Sequence, residues 1–285
     1  MRVVYEGMPT PWSALLFVIL LLLASAQPVI AAPPAYPPNG ITCKAYLVYD
    51  LSSEKVVGSH NANVRQPIAS LTKLMTAILT AERLRFDGLY VLTGKEVKTF
   101  GTDRMRADKM LEMMMVCSNN GMCRVVSRIA MGNVGEFAPQ DEQHFVSEMN
   151  QRAIQMGLKH TRFGTSSGLP GGQQYSTVYD VLTMLRVAMS NPRIHHVMTQ
   201  TNAELGGKSY KGTLYDLYLR HPSLAGGKTG YTKAAGRCLA LVYEARGRQY
   251  AIVTLGSTGV KSSFRDAELI FKHYGLYDGA VGEWK

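Results

Sequence analysis

Cysteine, tryptophan and acidic side chains are all scarce in this sequence. Four cysteines and two tryptophans occur among 285 residues, and no His/Cys grouping has zinc-site spacing. Asp and Glu number 21 against 31 Lys and Arg, which gives a formal net charge of +10. A basic balance suits nucleic acid, a membrane surface or an acidic polymer, and charge alone does not choose among them. The composition, 46% hydrophobic and 18% charged, excludes a disordered or fibrous chain.

Long hydrophobic runs are scarce as well. The one pronounced run is ALLFVILLLLA at residues 14–24, which is short for a membrane span. Arg2 precedes it, and the small-residue sequences ASA and AA follow at 24–26 and 31–32. This order predicts a secretory signal peptide over residues 1–32, cleaved near residue 26 or at 31–32. An uncleaved signal anchor is the alternative. After cleavage we expect no stable membrane anchor.

The rest of the chain predicts a single domain. Residues 33–40 form a Pro-rich leader, residues 41–277 are long enough for one large core, and residues 278–285 form a short tail. Export would permit disulfides, and four cysteines allow three complete pairings that the sequence does not separate. We expect free, mostly buried thiols at Cys43, Cys117, Cys123 and Cys238.

Hydrophobic periodicity predicts strands at both ends of this domain and helices between them. Residues 44–61 alternate as a strand hairpin, and the segment RCLALVYEARGRQYAIVTLGS, residues 237–257, holds two strands joined by a basic turn. The predicted helices cover 70–86, two runs within 107–131, 143–157, 176–190 and the closing segment SSFRDAELIFKHYG. The simplest fold is α+β, with one antiparallel sheet built from both chain ends, flanking helices and an inserted helical lobe. A site between lobe and sheet would combine residues distant in sequence.

The segment PIASLTKLMTA places Ser70 three residues before Lys73 at the start of a predicted helix. Residues at this spacing share a helix face, so the lysine amine can reach the hydroxyl. A serine attacks when a neighbouring base takes its proton, and burial lowers the pKa of a lysine toward that role. Ser52 and Lys55 repeat the spacing, but they fall in a turn between two strands, where both would be solvated. The alternative for Ser70 is a helix cap followed by a surface lysine.

Two further motifs carry polar groups that could face this pair. Ser118 and Asn120 interrupt two helical runs, where a hydroxyl could relay a proton and an amide could hold a substrate carbonyl. Ser and Asn are also ordinary helix caps. The sequence Lys228-Thr229-Gly230 occurs once, at the start of a predicted strand. It supplies a positive charge, a hydroxyl for a carboxylate, and room for an extended peptide, and it lacks the spacer of a phosphate-binding loop.

Together the three motifs resemble the penicillin-recognising Ser-x-x-Lys hydrolases. Within that group, the chain is similar to the low-molecular-mass penicillin-binding proteins, which are serine-type D-Ala-D-Ala carboxypeptidases and endopeptidases. The segments that carry the likeness are PIASLTKLMTA, FVSEMNQRAIQMGLKHTRFGTSSGLP, YSTVYDVLTML and GGKTGYTKAAGRCLALV. The resemblance spans about residues 44–274 and implies a DD-peptidase/β-lactamase-like fold, with a transpeptidase-like catalytic domain over residues 41–277.

The resemblance also implies a role for each motif residue. Ser70 would be the acylated nucleophile, Lys73 its base and Ser118 the proton relay. The oxyanion would be held by the backbone N–H groups of Ser70 and Tyr231. The implied substrate-binding residues are Asn120, Lys228, Thr229, Gly230, Tyr231 and Arg265. An ordinary surface arginine is the alternative for Arg265, and neither a metal nor a cofactor is implied.

The implied activity is that of a periplasmic hydrolase acting on D-Ala-D-Ala or D-Ala-diaminoacid bonds of peptidoglycan stem peptides. β-Lactam antibiotics would be covalent inhibitors, and no nucleic-acid partner is implied. The alternatives are a serine β-lactamase and a catalytically silent peptidoglycan-binding module. Residues 159–172 contain no Asp or Glu, which argues against a β-lactamase that deacylates through a carboxylate. The family usually has a glycine-containing hairpin before the helix that leads to Ser118, whereas the segment MRADKMLEMMMVCSNN passes directly from loop to helix. This difference predicts a shortened lip of the cleft, so the catalytically silent module remains an alternative.

Overall fold

The structure is a computed structural model, and it describes residues 37–277 together with Gly279 and Trp284. The predicted signal peptide, half of the leader and most of the tail lie outside the described residues. The strands are β1 (Ala45–Asp50), β2 (Lys55–His60), β3 (Leu89–Val91), β4 (Arg104–Arg106), β5 (Asn202–Leu205), β6 (Lys208–Lys211), β7 (Leu224–Thr232), β8 (Gly236–Ala245) and β9 (Arg248–Ser257). The α-helices are α1 (Lys73–Arg83), α2 (Gly94–Phe100), α3 (Ala107–Met115), α4 (Asn120–Ala130), α5 (Pro139–Gln155), α6 (Val178–Ser190), α7 (Pro192–Met198), α8 (Tyr215–Arg220) and α9 (Ser262–His273).

One antiparallel sheet joins the two ends of the described domain. Its strand order is β2-β1-β9-β8-β7, so the early hairpin pairs directly with the last strand. In that pairing Tyr46 of β1 lies opposite Thr254 of β9. The helices from α1 to α8 are inserted between these two groups of strands. This arrangement confirms the predicted fold class.

Side chains of the central strands alternate between two hydrophobic cores. On β8, Ala240 and Val242 lie in the larger core with the helices of the lobe. Leu239 and Leu241 face the other way, into a smaller core that includes Phe271 of α9. Burial of one such leucine contributes about 1.5–3 kcal/mol, so both faces stabilise the sheet. The sheet is therefore fixed on each side.

Helix α1 lies inside the lobe and carries Lys73 at its first position. It contacts α3, α4, α5 and α6. Its apolar side chains are buried, because Leu74, Met75 and Ile78 fall on the stripe that a 3.6-residue period produces. Within residues 37–277, no helix combines the length and apolarity that a bilayer crossing requires. All four cysteines carry free thiols, and only Cys117 is not fully buried.

Several elements differ from the sequence-based expectations. Ser70 lies in a 3₁₀ turn, Ala69–Thr72, and the α-helix begins only at Lys73. The expected loop before Ala107 is the short strand β4, which pairs with β3. Helix α2 and the hairpin of β5 and β6 were not anticipated. Before helix α3, the chain therefore forms helix α2 and the two-stranded sheet of β3 and β4.

Candidate active site

The turn that carries Ser70 has an unusual backbone. Ala69, the preceding residue, has φ of 47°, in the left-handed region that a non-glycine residue rarely adopts. Such a conformation costs about 1–3 kcal/mol and persists only where its surroundings hold it. The surroundings here are tight, because a β-carbon on Gly168 would stand 1.9 Å from the Ala69 carbonyl oxygen. The Ser70 turn is therefore pressed against the segment that contains Gly168.

Lys73 is completely buried and directs its amine at Ser70. Its Nζ donates to Ser70 Oγ at 2.7 Å, to Asn120 Oδ1 at 2.8 Å and to the Ser167 carbonyl at 2.8 Å. Burial lowers the pKa of Lys73 from its ordinary value, because a charged amine is costly away from water. A lysine of lowered pKa within hydrogen-bond distance of a serine hydroxyl can take its proton. The surface-lysine alternative is wrong.

Ser118 and Asn120 are brought to the same cleft by the junction of α3 and α4. Asn120 is the first residue of α4 and contacts Lys73 through its Oδ1. Ser118 has φ of 55°, again left-handed, and its Oγ accepts a hydrogen bond from Lys228 Nζ at 2.9 Å. The helix cap is Asn119, whose Oδ1 accepts from the Met122 N–H at 2.9 Å. Because Asn119 performs the capping, the two flanking side chains are free to face the site.

Lys228 is the second fully buried lysine of the cleft. Burial lowers its pKa well below the ordinary value, and the nearby charge of Lys73 lowers it further. Besides Ser118, its Nζ contacts the Thr229 carbonyl at 3.0 Å. Thr229 Oγ1 donates to Thr213 Oγ1 at 2.7 Å. A pair of hydroxyls beside a lysine is suited to a carboxylate or carbonyl oxygen.

Strand β7 passes directly beside the Ser70 turn. A β-carbon on Gly230 would stand 2.9 Å from the Ile68 carbonyl oxygen and 3.0 Å from Ser70 N. The next residue, Tyr231, has a side chain that is 58% exposed and stacks under the guanidinium of Arg237. Glycine at position 230 therefore permits the close approach that two neighbouring oxyanion donors need.

Arg265 is the one predicted site residue that the structure does not connect to the others. It is exposed on α9, a helix that packs against β8 and β9. Within the described part of the chain, its guanidinium makes no hydrogen bond or ion pair.

Two contacts were missed from the sequence. Ser167 contributes a backbone carbonyl to Lys73, and no side-chain pattern announces a carbonyl. Thr213 reaches Thr229 from the segment after β6, and its N–H is held by the Val116 carbonyl at 2.9 Å. The β5–β6 hairpin had a usable signal, because Gly206-Gly207 is a typical two-residue hairpin turn and both glycines have positive φ.

Comparison with known proteins identifies the family. The family model described as D-alanyl-D-alanine carboxypeptidase, peptidase S11, matches residues 31–259. A D-alanyl-D-alanine carboxypeptidase of Mycobacterium tuberculosis is 28% identical over 244 residues, which is 81% of this chain and 79% of that protein. The D-alanyl-D-alanine endopeptidase of Escherichia coli is 26% identical over 274 residues, which is 88% of this chain and 85% of that protein.

Solved structures agree on the fold. The carboxypeptidase from Mycobacterium tuberculosis superposes with a TM-score of 0.73 at 22% identity, covering 85% of this chain and 97% of that one. Penicillin-binding protein D2 of Listeria monocytogenes, in its cefotaxime-bound form, gives 0.72 at 23% identity, covering 84% and 100%. Fold, family and kind of enzyme predicted from the sequence are confirmed: the chain belongs to the D-alanyl-D-alanine carboxypeptidase family of serine peptidases.

Proposed function

We propose that this chain hydrolyses the bond after a D-alanine residue in peptidoglycan stem peptides, through an acyl-enzyme on Ser70. The observation that carries the proposal is the 2.7 Å contact between Ser70 Oγ and the buried amine of Lys73. The family and its named relatives supply the substrate class. β-Lactam antibiotics would occupy the same site as covalent inhibitors.

Acylation begins when neutral Lys73 takes the proton of Ser70 Oγ. The oxygen then attacks the carbonyl carbon of the D-alanyl peptide bond, and the N–H groups of Ser70 and Tyr231 stabilise the oxyanion. Ser118, hydrogen-bonded to Lys228, passes a proton to the departing amine as the C–N bond breaks, and the proton that Lys73 took from Ser70 restores the Ser118 hydroxyl. Water then hydrolyses the ester and restores Ser70.

The remaining residues would hold the substrate. Asn120 lies at the cleft through its contact with Lys73 and would bind the substrate amide. Lys228 and Thr229 would face the terminal carboxylate, and Gly230 leaves space for the extended peptide beside β7. Arg265 would contact a free terminal carboxylate. Secretion through the predicted signal peptide would place this activity in the periplasm, where the positive charge suits an anionic wall polymer.

Release of D-alanine from a stem pentapeptide tests the proposal, with cleavage of a cross-linked dimer measured in parallel. We expect turnover of at least one substrate by wild-type protein and none by Ser70→Ala. Fast hydrolysis of a penicillin without peptide turnover would identify a β-lactamase instead. Binding to peptidoglycan without turnover of either substrate would identify the silent module.

A further inference from the structure

The segment from Ser166 to Gly168 is held from two sides. Glu142, in the first turn of α5, accepts with Oε1 from Ser166 N at 3.1 Å and from Ser166 Oγ at 2.8 Å. From α1, Thr76 Oγ1 donates to the Ser166 carbonyl at 2.6 Å. Ser166 is completely buried. The N–H, the hydroxyl and the carbonyl of Ser166 therefore each make a hydrogen bond.

The next residue in the chain is the one that contacts the proposed base. The Ser167 carbonyl accepts from Lys73 Nζ at 2.8 Å, and it is 3.5 Å from Ser70 Oγ. One peptide unit thus separates the hydrogen bonds of Glu142 from a hydrogen bond of Lys73. The carboxylate reaches residues 159–172 from another helix, because that segment contains no Asp or Glu itself.

The Ser167 carbonyl matters because it orients the lysine amine. Two acceptors with fixed positions, the Ser167 carbonyl and Asn120 Oδ1, hold Nζ and direct its remaining contact at Ser70 Oγ. If the carbonyl shifts, Nζ loses one of these anchors. Misplacement of a reacting group by about 1 Å can lower a rate about 100-fold.

We propose that Glu142 is a positioning residue for acylation, which holds the Ser166–Ser167 peptide so that its carbonyl orients Lys73. This inference rests on the proposed function of Ser70 and Lys73. The role requires an acceptor oxygen at position 142. Glutamine can supply that oxygen to both groups of Ser166, whereas alanine cannot.

The test compares Glu142→Ala, Glu142→Gln and the control Glu148→Ala, which lies on the same helix and pairs with Arg83. Acylation by a fluorescent penicillin is followed by stopped flow, which separates the dissociation constant of the initial complex from the acylation rate constant. Melting temperature and amide hydrogen exchange at residues 166–168 are measured on each variant.

We expect Glu142→Ala to lower the acylation rate constant at least about 10-fold, with the dissociation constant changed less than about threefold. In Glu142→Ala, the backbone amides of residues 166–168 should lose protection against hydrogen exchange. Glu142→Gln should restore rate and protection, and Glu148→Ala should match wild type. A role in stability alone would lower the melting temperature and leave the rate constant of the folded protein unchanged.

The inference would be overturned by wild-type acylation in Glu142→Ala, or by unchanged protection of residues 166–168 in that variant. Equal loss in the glutamine and alanine variants would also contradict it, because an acceptor oxygen would then be insufficient. If wild-type protein forms no adduct, the proposed function fails, and hydrogen exchange alone still decides whether Glu142 holds this segment.

Discussion

Gly230 of strand β7 lies against the backbone of Ser70, so closely that a β-carbon would stand 3.0 Å from Ser70 N. This contact joins the edge of the sheet to the turn that carries the proposed nucleophile. The two N–H groups proposed for the oxyanion, on Ser70 and Tyr231, come from these two elements. Their separation therefore depends on how closely β7 approaches the turn.

Replacing Gly230 with alanine should push the strand and the turn apart by a few tenths of an ångström. We expect the acylation rate by a labelled penicillin to fall at least about 10-fold, because oxyanion donors act only when correctly placed. Gly227→Ala is the control, since its β-carbon would be as crowded but against Ala240 and Leu214. Equal losses in both variants would show a general distortion of β7 and contradict this role.

The pH dependence of acylation should report Lys73. Because burial lowers the pKa of this amine, its neutral form is available below the ordinary lysine range, and acylation should reach its plateau below pH 10.5. Asn120→Asp places a carboxylate where Oδ1 now accepts from Nζ. An adjacent negative charge favours the ammonium, so the pKa of Lys73 rises and the acid limb moves to higher pH.

The matched control is Asn119→Asp, whose side chain caps α4 and does not contact Lys73. Aspartate is an equally good cap, so this variant should keep both its stability and its pH profile close to wild type. An acid limb that moves equally in the two variants, or that does not move in Asn120→Asp, would rule out Lys73 as the titrating base.

Arg265 should matter only for substrates that end in a free carboxylate. We expect Arg265→Ala to lower release of D-alanine from a pentapeptide while leaving cleavage of a cross-linked dimer and acylation by penicillin unchanged. Lys272→Ala removes another exposed cation from the same helix and serves as the control. If Arg265→Ala lowers turnover of both substrates equally, or leaves turnover of the pentapeptide unchanged, Arg265 is an ordinary surface residue.

The buried ion pair of Arg128 and Glu96 should be important for stability. Arg128 is 1% exposed, and its Nη2 lies 2.7 Å from Glu96 Oε2, while other N–H groups bind the carbonyls of Asn133 and Val91. Arg128→Met leaves a nearly buried carboxylate unpaired, so we expect the free energy of unfolding to fall by about 3–5 kcal/mol.

Arg83→Met is the comparison, because Arg83 pairs with Glu148 at the surface, where loss of an ion pair costs less than about 1 kcal/mol. Denaturant unfolding measures both variants. Similar losses in the two would mean that burial does not govern the contribution of these pairs.

The sequence predicted the site well where chemistry sits in side chains at short spacing. Ser70 and Lys73 are one helical turn apart, and the alternative pair of Ser52 and Lys55 could be set aside from its position in a turn. The structure places Ser52 in the β1–β2 turn and Lys55 at the first residue of β2, and both are exposed. Spacing could not reveal the Ser167 carbonyl or Glu142, because a backbone acceptor and a contact between distant elements leave no local pattern.

The missed elements had weaker signals. Helix α2 begins with a capping box, in which the Glu96 side chain accepts from Thr93 N at 3.0 Å, and the sequence TGKE contains that pattern. The 3₁₀ turn at Ser70 had no signal, since its conformation depends on Gly168 and Gly230 pressing on it from other elements.

The central claim is that Ser70 is acylated with Lys73 as its base. The most direct measurement is the intact mass and peptide map of wild-type protein, Ser70→Ala and the control Ser52→Ala after incubation with a labelled penicillin. We predict one adduct in wild type and in Ser52→Ala, located on the peptide that contains Ser70, and none in Ser70→Ala. An adduct that persists in Ser70→Ala, or that maps to another residue, would contradict the account.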